Sequence, residues 1–154
     1  STRGTQVPSG WVEQGAAQAL PVFKVESRLQ SGLLEVALKQ HVSDRTDWRK
    51  MLKADAEPVD LKSIRDQLLN DCSTEIAQIK TEHGEAAIQE VDENVVDIKF
   101  PVSEYPEKIK SLNLDKQAEI EGKLLGIKGQ YLILDTGVLN IRKFSGYNIE
   151  VDFI

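Results

Sequence analysis

Apolar residues recur three or four positions apart at Leu61, Ile64, Leu68, Cys72, Ile76 and Ile79, and from Asn94 onward their spacing switches to two. The first period places one stripe on a long helix and the second places alternate residues on one face of a sheet. One element cannot serve both, so the chain is expected to be α+β: helices ahead, antiparallel strands behind.

The helix over 61–83 is predicted to start at Asp60, whose carboxylate can cap it, and to stop at Gly84, with a further turn possible through Val91. Its second face is acidic. Upstream, Ser27-Arg28-Leu29-Gln30 fits a capping box, in which Gln30 reaches back to the serine backbone. That helix should run to about His41, with Leu29, Leu33, Val36, Ala37 and Gln40 on one stripe and Leu34 and Leu38 widening it. Residues 9–16 and 47–52 read as short helices. Residues 18–25 read as a strand with an edge or bulge at Pro21, and 55–58 as a break.

In the second half, 95–101 reads as a strand and 105–115 as a loop. Four strands follow at 119–127, 130–134, 138–141 and 147–153, joined by Lys128-Gly129, Thr136-Gly137 and Ser145-Gly146. The last alternates cleanly, Ile149, Val151 and Phe153 against Asn148, Glu150 and Asp152. With Gly122 and Gly126 inside the first, the expectation is a curled meander or small barrel. The domain reading is 1–54, an acidic helical connector over 55–93, and a β domain over 94–154.

Charge narrows the choice of partners. The net value of −6 divides into +3 for residues 1–53, −9 for 54–104 and 0 for 105–154, so a nucleic acid would be met by the N-terminal third. No apolar run approaches the ~18 residues of a membrane span, and no membrane partner is expected. Cys72 is the single cysteine, which excludes an intrachain disulfide and points to a reducing cytoplasm. The single methionine is Met51, so the polypeptide is expected to be processed, tagged or cut from something longer.

Four groups of residues invite a chemical reading. Asp135-Thr136-Gly137 after Leu132-Ile133-Leu134 matches the catalytic loop of retroviral-type aspartic proteases, but Val138 stands where Ser or Ala belongs and only residues 138–154 remain; a hairpin turn is the expectation. Glu35 can hold a hard cation such as Mg²⁺, or pair with Lys39 one turn on. Arg45, Arg49, Lys50 and Lys53 gather around Trp48 and are the candidate phosphate contacts, with Trp48 and Trp11 able to stack on bases. His41 and His83 lie near helix C-termini, where the dipole favours the imidazolium, and Cys72 belongs to the core.

Trp11-Val12-Glu13-Gln14-Gly15-Ala16, Leu33-Leu34-Glu35-Val36-Ala37-Leu38-Lys39, Asp47-Trp48-Arg49-Lys50-Met51-Leu52 and Gly126-Ile127-Lys128-Gly129-Gln130-Tyr131, with Asn140-Ile141-Arg142-Lys143, resemble a bacterial family described as a domain of unknown function. The likeness covers essentially the whole chain and implies no activity. More distantly, the strand at 20–25 followed by Leu33-Leu34-Glu35-Val36-Ala37-Leu38-Lys39 resembles the GIY-YIG nuclease superfamily. That resemblance implies a truncated GIY-YIG-like N-terminal part with Glu35 as the Mg²⁺ ligand. It puts the hairpin with the two tyrosine-glycine motifs ahead of Ser1, and the superfamily's helix arginine has no counterpart beside Trp11, where Gly10 stands. Lacking both, the chain is expected to be catalytically dead or crippled. Three functions follow: a nuclease-like fragment, a non-enzymatic module binding nucleic acid or protein, or a structural protein docking through its acidic helix.

Overall fold

The computed structural model describes residues 9–43, 45–53 and 57–153. The first half of the break expected over 55–58 lies outside them. The fold is α+β, and among the described residues no helix is long and apolar enough to cross a membrane. The chain divides into two compact units, one of 1–11, 16–46 and 57–98, the other of 12–15, 47–56 and 99–154. Helix α1 (Ser9–Glu13) carries residues of both.

The first unit holds strands β1 (Gln18–Ala19) and β2 (Phe23–Val25), helix α2 (Arg28–Lys39), helices α4 (Leu61–Asp71) and α5 (Ser73–His83), and strands β3 (Ile88–Glu90) and β4 (Val96–Asp97). The single strand expected over 18–25 is split around Pro21: β1 pairs antiparallel with β4, and β2 with β3. Of 95–101, only Val96–Asp97 is strand, and after Gly84 the chain makes a 3-10 turn (Glu85–Ala87) leading into β3 in place of a further α-helical turn. The capping box forms, with Gln30 Oε1 accepting from the Ser27 amide at 2.7 Å.

Two expectations about the helices are corrected. The buried positions of α2 are Gln30, Leu34 and Ala37, whereas Leu29 and Val36 are exposed. Capping turns Gln30 inward, and Leu34 and Ala37 follow it on the i, i+4, i+7 line. The long helix is two helices, broken at Cys72, whose ψ of 13° leaves the helical range. Cys72 is also where the stripe meets α2: its thiol points at the Ala37 carbonyl, 3.9 Å away, inside a core of Leu34, Ile76, Ile79 and Ile88. Gly84 ends α5 as expected, with φ 96°.

In the second unit, helix α3 (Trp48–Leu52) precedes a three-stranded antiparallel sheet in the order β5 (Leu124–Lys128), β6 (Tyr131–Leu134), β7 (Gly137–Asn140). The register slips between Leu124 and Gly126, a bulge in the strand, and Gly126 is required there: a Cβ would sit 2.7 Å from the Val102 Cα. Leu52, Tyr131, Ile133 and Val138 make one core on this sheet, and Leu112, Leu139 and Phe144 another.

The fourth strand and the barrel do not form. Residues 110–112 already pair with the free edge of β7 (Val138 N to Lys110 O, 2.8 Å; Leu112 N to Val138 O, 2.9 Å), and 101–103 cover β5 (Ile127 N to Pro101 O, 3.0 Å; Ser103 N to Leu125 O, 2.8 Å). Asn140 caps a 3-10 turn (Ile141–Phe144) that leads the chain away. The strand-patterned 147–153 is therefore left unpaired.

Candidate functional site

In the first unit Glu35 stands on the exposed side of α2, its side chain 65% exposed, with Lys39 Nζ 3.0 Å from Oε1. Both border a groove of about 400 Å³, floored by Phe23, Val25, Leu34 and Leu38. A cation at Glu35 would have to displace the Lys39 ammonium and take its other oxygens from water or substrate. Among the described residues no three His, Cys, Asp or Glu side chains come together as a metal-ligating group.

The aromatic-basic cluster of the second unit is more tightly built. Asp47 caps α3, its Oδ1 accepting from the amides of Arg49 and Lys50 at 3.1 and 3.2 Å. Leu52 is fully buried and fixes the helix to the sheet. Trp48, half-buried, lies parallel to Tyr131 with ring centres 5.6 Å apart and 7° between planes, and the Arg49 guanidinium carbon is 4.3 Å from the Trp48 ring centre. The result is a pair of stacked rings with a cation on it, which restricts the arginine's rotamers. Arg49, Lys50 and Lys53 are exposed, and among the described residues none of them is ion-paired to a carboxylate. Trp48 thus has Tyr131 and Arg49 as ring partners. Arg45 belongs to the first unit, where its amide donates to Ser43 Oγ at 3.3 Å.

Lys128, which sequence reasoning did not single out, lies under α3. It is 5% exposed, and its Nζ donates to the Met51 carbonyl at 2.9 Å, near the rings of Tyr105 (5.0 Å) and Phe100 (5.7 Å). The ammonium thus caps the C-terminal end of α3, while burial pushes its pKa below the usual lysine value. Hydropathy alone would bury Ile127 and expose Lys128; after the bulge the reverse holds, with Ile127 exposed.

Asp135-Thr136-Gly137 makes the β6–β7 turn. Asp135 Oδ1 accepts from the Lys123 amide at 2.9 Å and Thr136 Oγ1 donates to the Glu121 carbonyl at 2.8 Å, so both polar side chains are engaged in holding 121–123. Cys72 is fully buried and burial pushes its thiol pKa up, the signature of an inert core cysteine. Trp11 is half-buried.

No curated protein and no solved structure matches the chain. Residues 1–149 match the family described as "Protein of unknown function (DUF2797)", and the chain belongs to that family.

Proposed function

We propose that the second unit is a non-enzymatic nucleic-acid-binding module that takes backbone phosphates on the exposed face of α3. The observation carrying this reading is the Arg49–Trp48–Tyr131 stack, which presents a preorganised guanidinium beside Lys50 and Lys53. Phosphate binding by arginine gains most when the fork is already oriented. The second unit has eleven Lys and Arg against eleven Asp and Glu, while the first has eight against fourteen. The field of the whole chain therefore opposes binding, and affinity should be modest and steeply salt-dependent. Three phosphate contacts on a single strand correspond to a slope of about −2 in log K against log salt. The test is fluorescence anisotropy with labelled single-stranded DNA and RNA over a salt series. The Arg49→Ala/Lys50→Ala/Lys53→Ala variant should lose most of that slope. Equal binding by wild type and variant, or none by wild type at low salt, rejects the reading.

A nuclease-like role for the first unit is the second reading, favoured by the position of Glu35 on the rim of a concave surface. It calls for Mg²⁺ at Glu35 and for the GIY-YIG relationship. Mg²⁺-dependent cleavage of DNA or RNA by the protein, lost in Glu35→Ala, would support it; no cleavage, or cleavage unaffected by that substitution, would count against Glu35 in the chemistry.

A further inference from the structure

The segment 147–153 has the pattern of a strand and the surroundings of none. Ile149, Val151 and Phe153, its inward face by sequence, are 51%, 67% and 92% exposed. Its root is fixed: Tyr147 meets Phe144 edge-on with ring centres 5.3 Å apart, and its hydroxyl donates to Asp115. Both edges of the unit's own sheet are occupied, by 101–103 and by 110–112. The Tyr147 amide donates to the Phe144 carbonyl at 3.0 Å; beyond it, a strand-forming segment with no edge to join in its own unit leaves the backbone donors and acceptors of 148–153 for another chain.

We infer that 147–153 pairs antiparallel with the same segment of a second copy of this chain, in a two-fold ribbon centred on Glu150. The sequence is self-complementary in that register. On one face Tyr147 lies opposite Phe153 and Ile149 opposite Val151, aromatic and β-branched pairs of the kind that stabilise cross-strand contacts. On the other, Asn148 lies opposite Asp152 as donor to acceptor. The two Glu150 carboxylates meet at the centre, the single unfavourable pair. A two-stranded ribbon is marginal in water, so the association is weak and concentration-dependent, and Glu150 sets how weak.

Sedimentation velocity of the full chain over a concentration series should show a monomer–dimer equilibrium. Val151→Ser/Phe153→Ser should weaken it at least ~10-fold, from the loss of both apolar pairs, and Glu150→Gln should tighten it. These side chains lie outside both cores, so the variants fold as wild type. Under mild oxidation Glu150→Cys should cross-link to dimer much faster than Asn148→Cys, because only position 150 faces its own copy; Cys72 is buried and stays out of the reaction. A monomer at every concentration, a dimer indifferent to the Val151 and Phe153 substitutions, or equal cross-linking at 148 and 150 overturns the inference.

Discussion

Lys128 Nζ donates to the Met51 carbonyl at 2.9 Å, so a buried ammonium on β5 caps the last turn of the helix that carries Arg49 and Lys50. The charge is held at a desolvation cost, which lowers the lysine's pKa in the folded protein.

The sign of the resulting pH dependence is fixed. The unfolded chain binds this proton more tightly than the folded one, so stability rises as pH climbs from the folded pKa toward the usual 10.5 and the cost is greatest below that window. Lys128→Met lacks this component. Urea denaturation of both proteins at neutral and alkaline pH should show wild type gaining on the variant as pH rises.

Gly129 adopts φ +58°, and a Cβ there would stand 2.7 Å from the Glu13 carbonyl oxygen and 3.0 Å from the Gly15 amide nitrogen. Backbone cannot yield as a side-chain tip can, so Gly129→Ala should cost about 1–3 kcal/mol. Gly146→Ala, with nothing within 4 Å, should stay within about 0.5 kcal/mol of wild type. Denaturant midpoints compare the two.

Gln30 is buried, and its Oε1 takes both the Ser27 amide (2.7 Å) and the Ser27 hydroxyl (2.8 Å). Removing that acceptor in Gln30→Ala should destabilise the chain by about 1 kcal/mol, as for other lost helix caps. Chemical denaturation measures it.

Cys72 should ignore a thiol reagent in the native protein and react fully once the first unit unfolds, since it is solvent-free and its thiolate is disfavoured by burial. Absorbance after adding an aromatic disulfide, with and without urea, reads this directly. Fast reaction in the native state would mean that the α2–α5 core opens readily.

The Tyr147 hydroxyl and the Lys143 ammonium both donate to Asp115, holding that carboxyl below its usual 3.8, and the same contact raises the Tyr147 phenol above 10.0. The contribution is present between those two ordinary values. It is lost as acid protonates Asp115 and as alkali ionises Tyr147. Tyr147→Phe should be less stable than wild type at neutral pH, with the gap closing at both extremes of a pH-resolved denaturation series.

Local chemistry was legible in the sequence wherever a few neighbouring residues suffice to decide it. The Ser27–Gln30 capping box, the Asp60 cap and the Gly84 stop each need only groups within four residues, whereas the side chains of the Asp135-Thr136-Gly137 turn bond Lys123 and Glu121, 12 and 15 residues away. The α+β class and the β5–β6–β7 meander came from periodicity, which records which face of an element is apolar. The phosphate-contact candidates could be picked out as a basic run around an aromatic, but the Trp48–Tyr131 stack that orients Arg49 joins residues 48 and 131 and has no local signature.

The sequence by itself determined caps, turns and the period of each apolar stripe, because those depend on short-range sterics and hydrogen bonds. Only tertiary structure decided what each apolar face meets. The bulge at Leu124–Gly126 reversed Ile127 and Lys128 between surface and interior, since a one-residue slip flips a strand's faces. Contact with Ala37 sits where the long helix breaks at Cys72. For 147–153, a clean strand pattern made no strand because 101–103 and 110–112 had taken both sheet edges. A strand needs a partner's backbone as well as its own alternation, and the pattern carries no record of whether that partner is free.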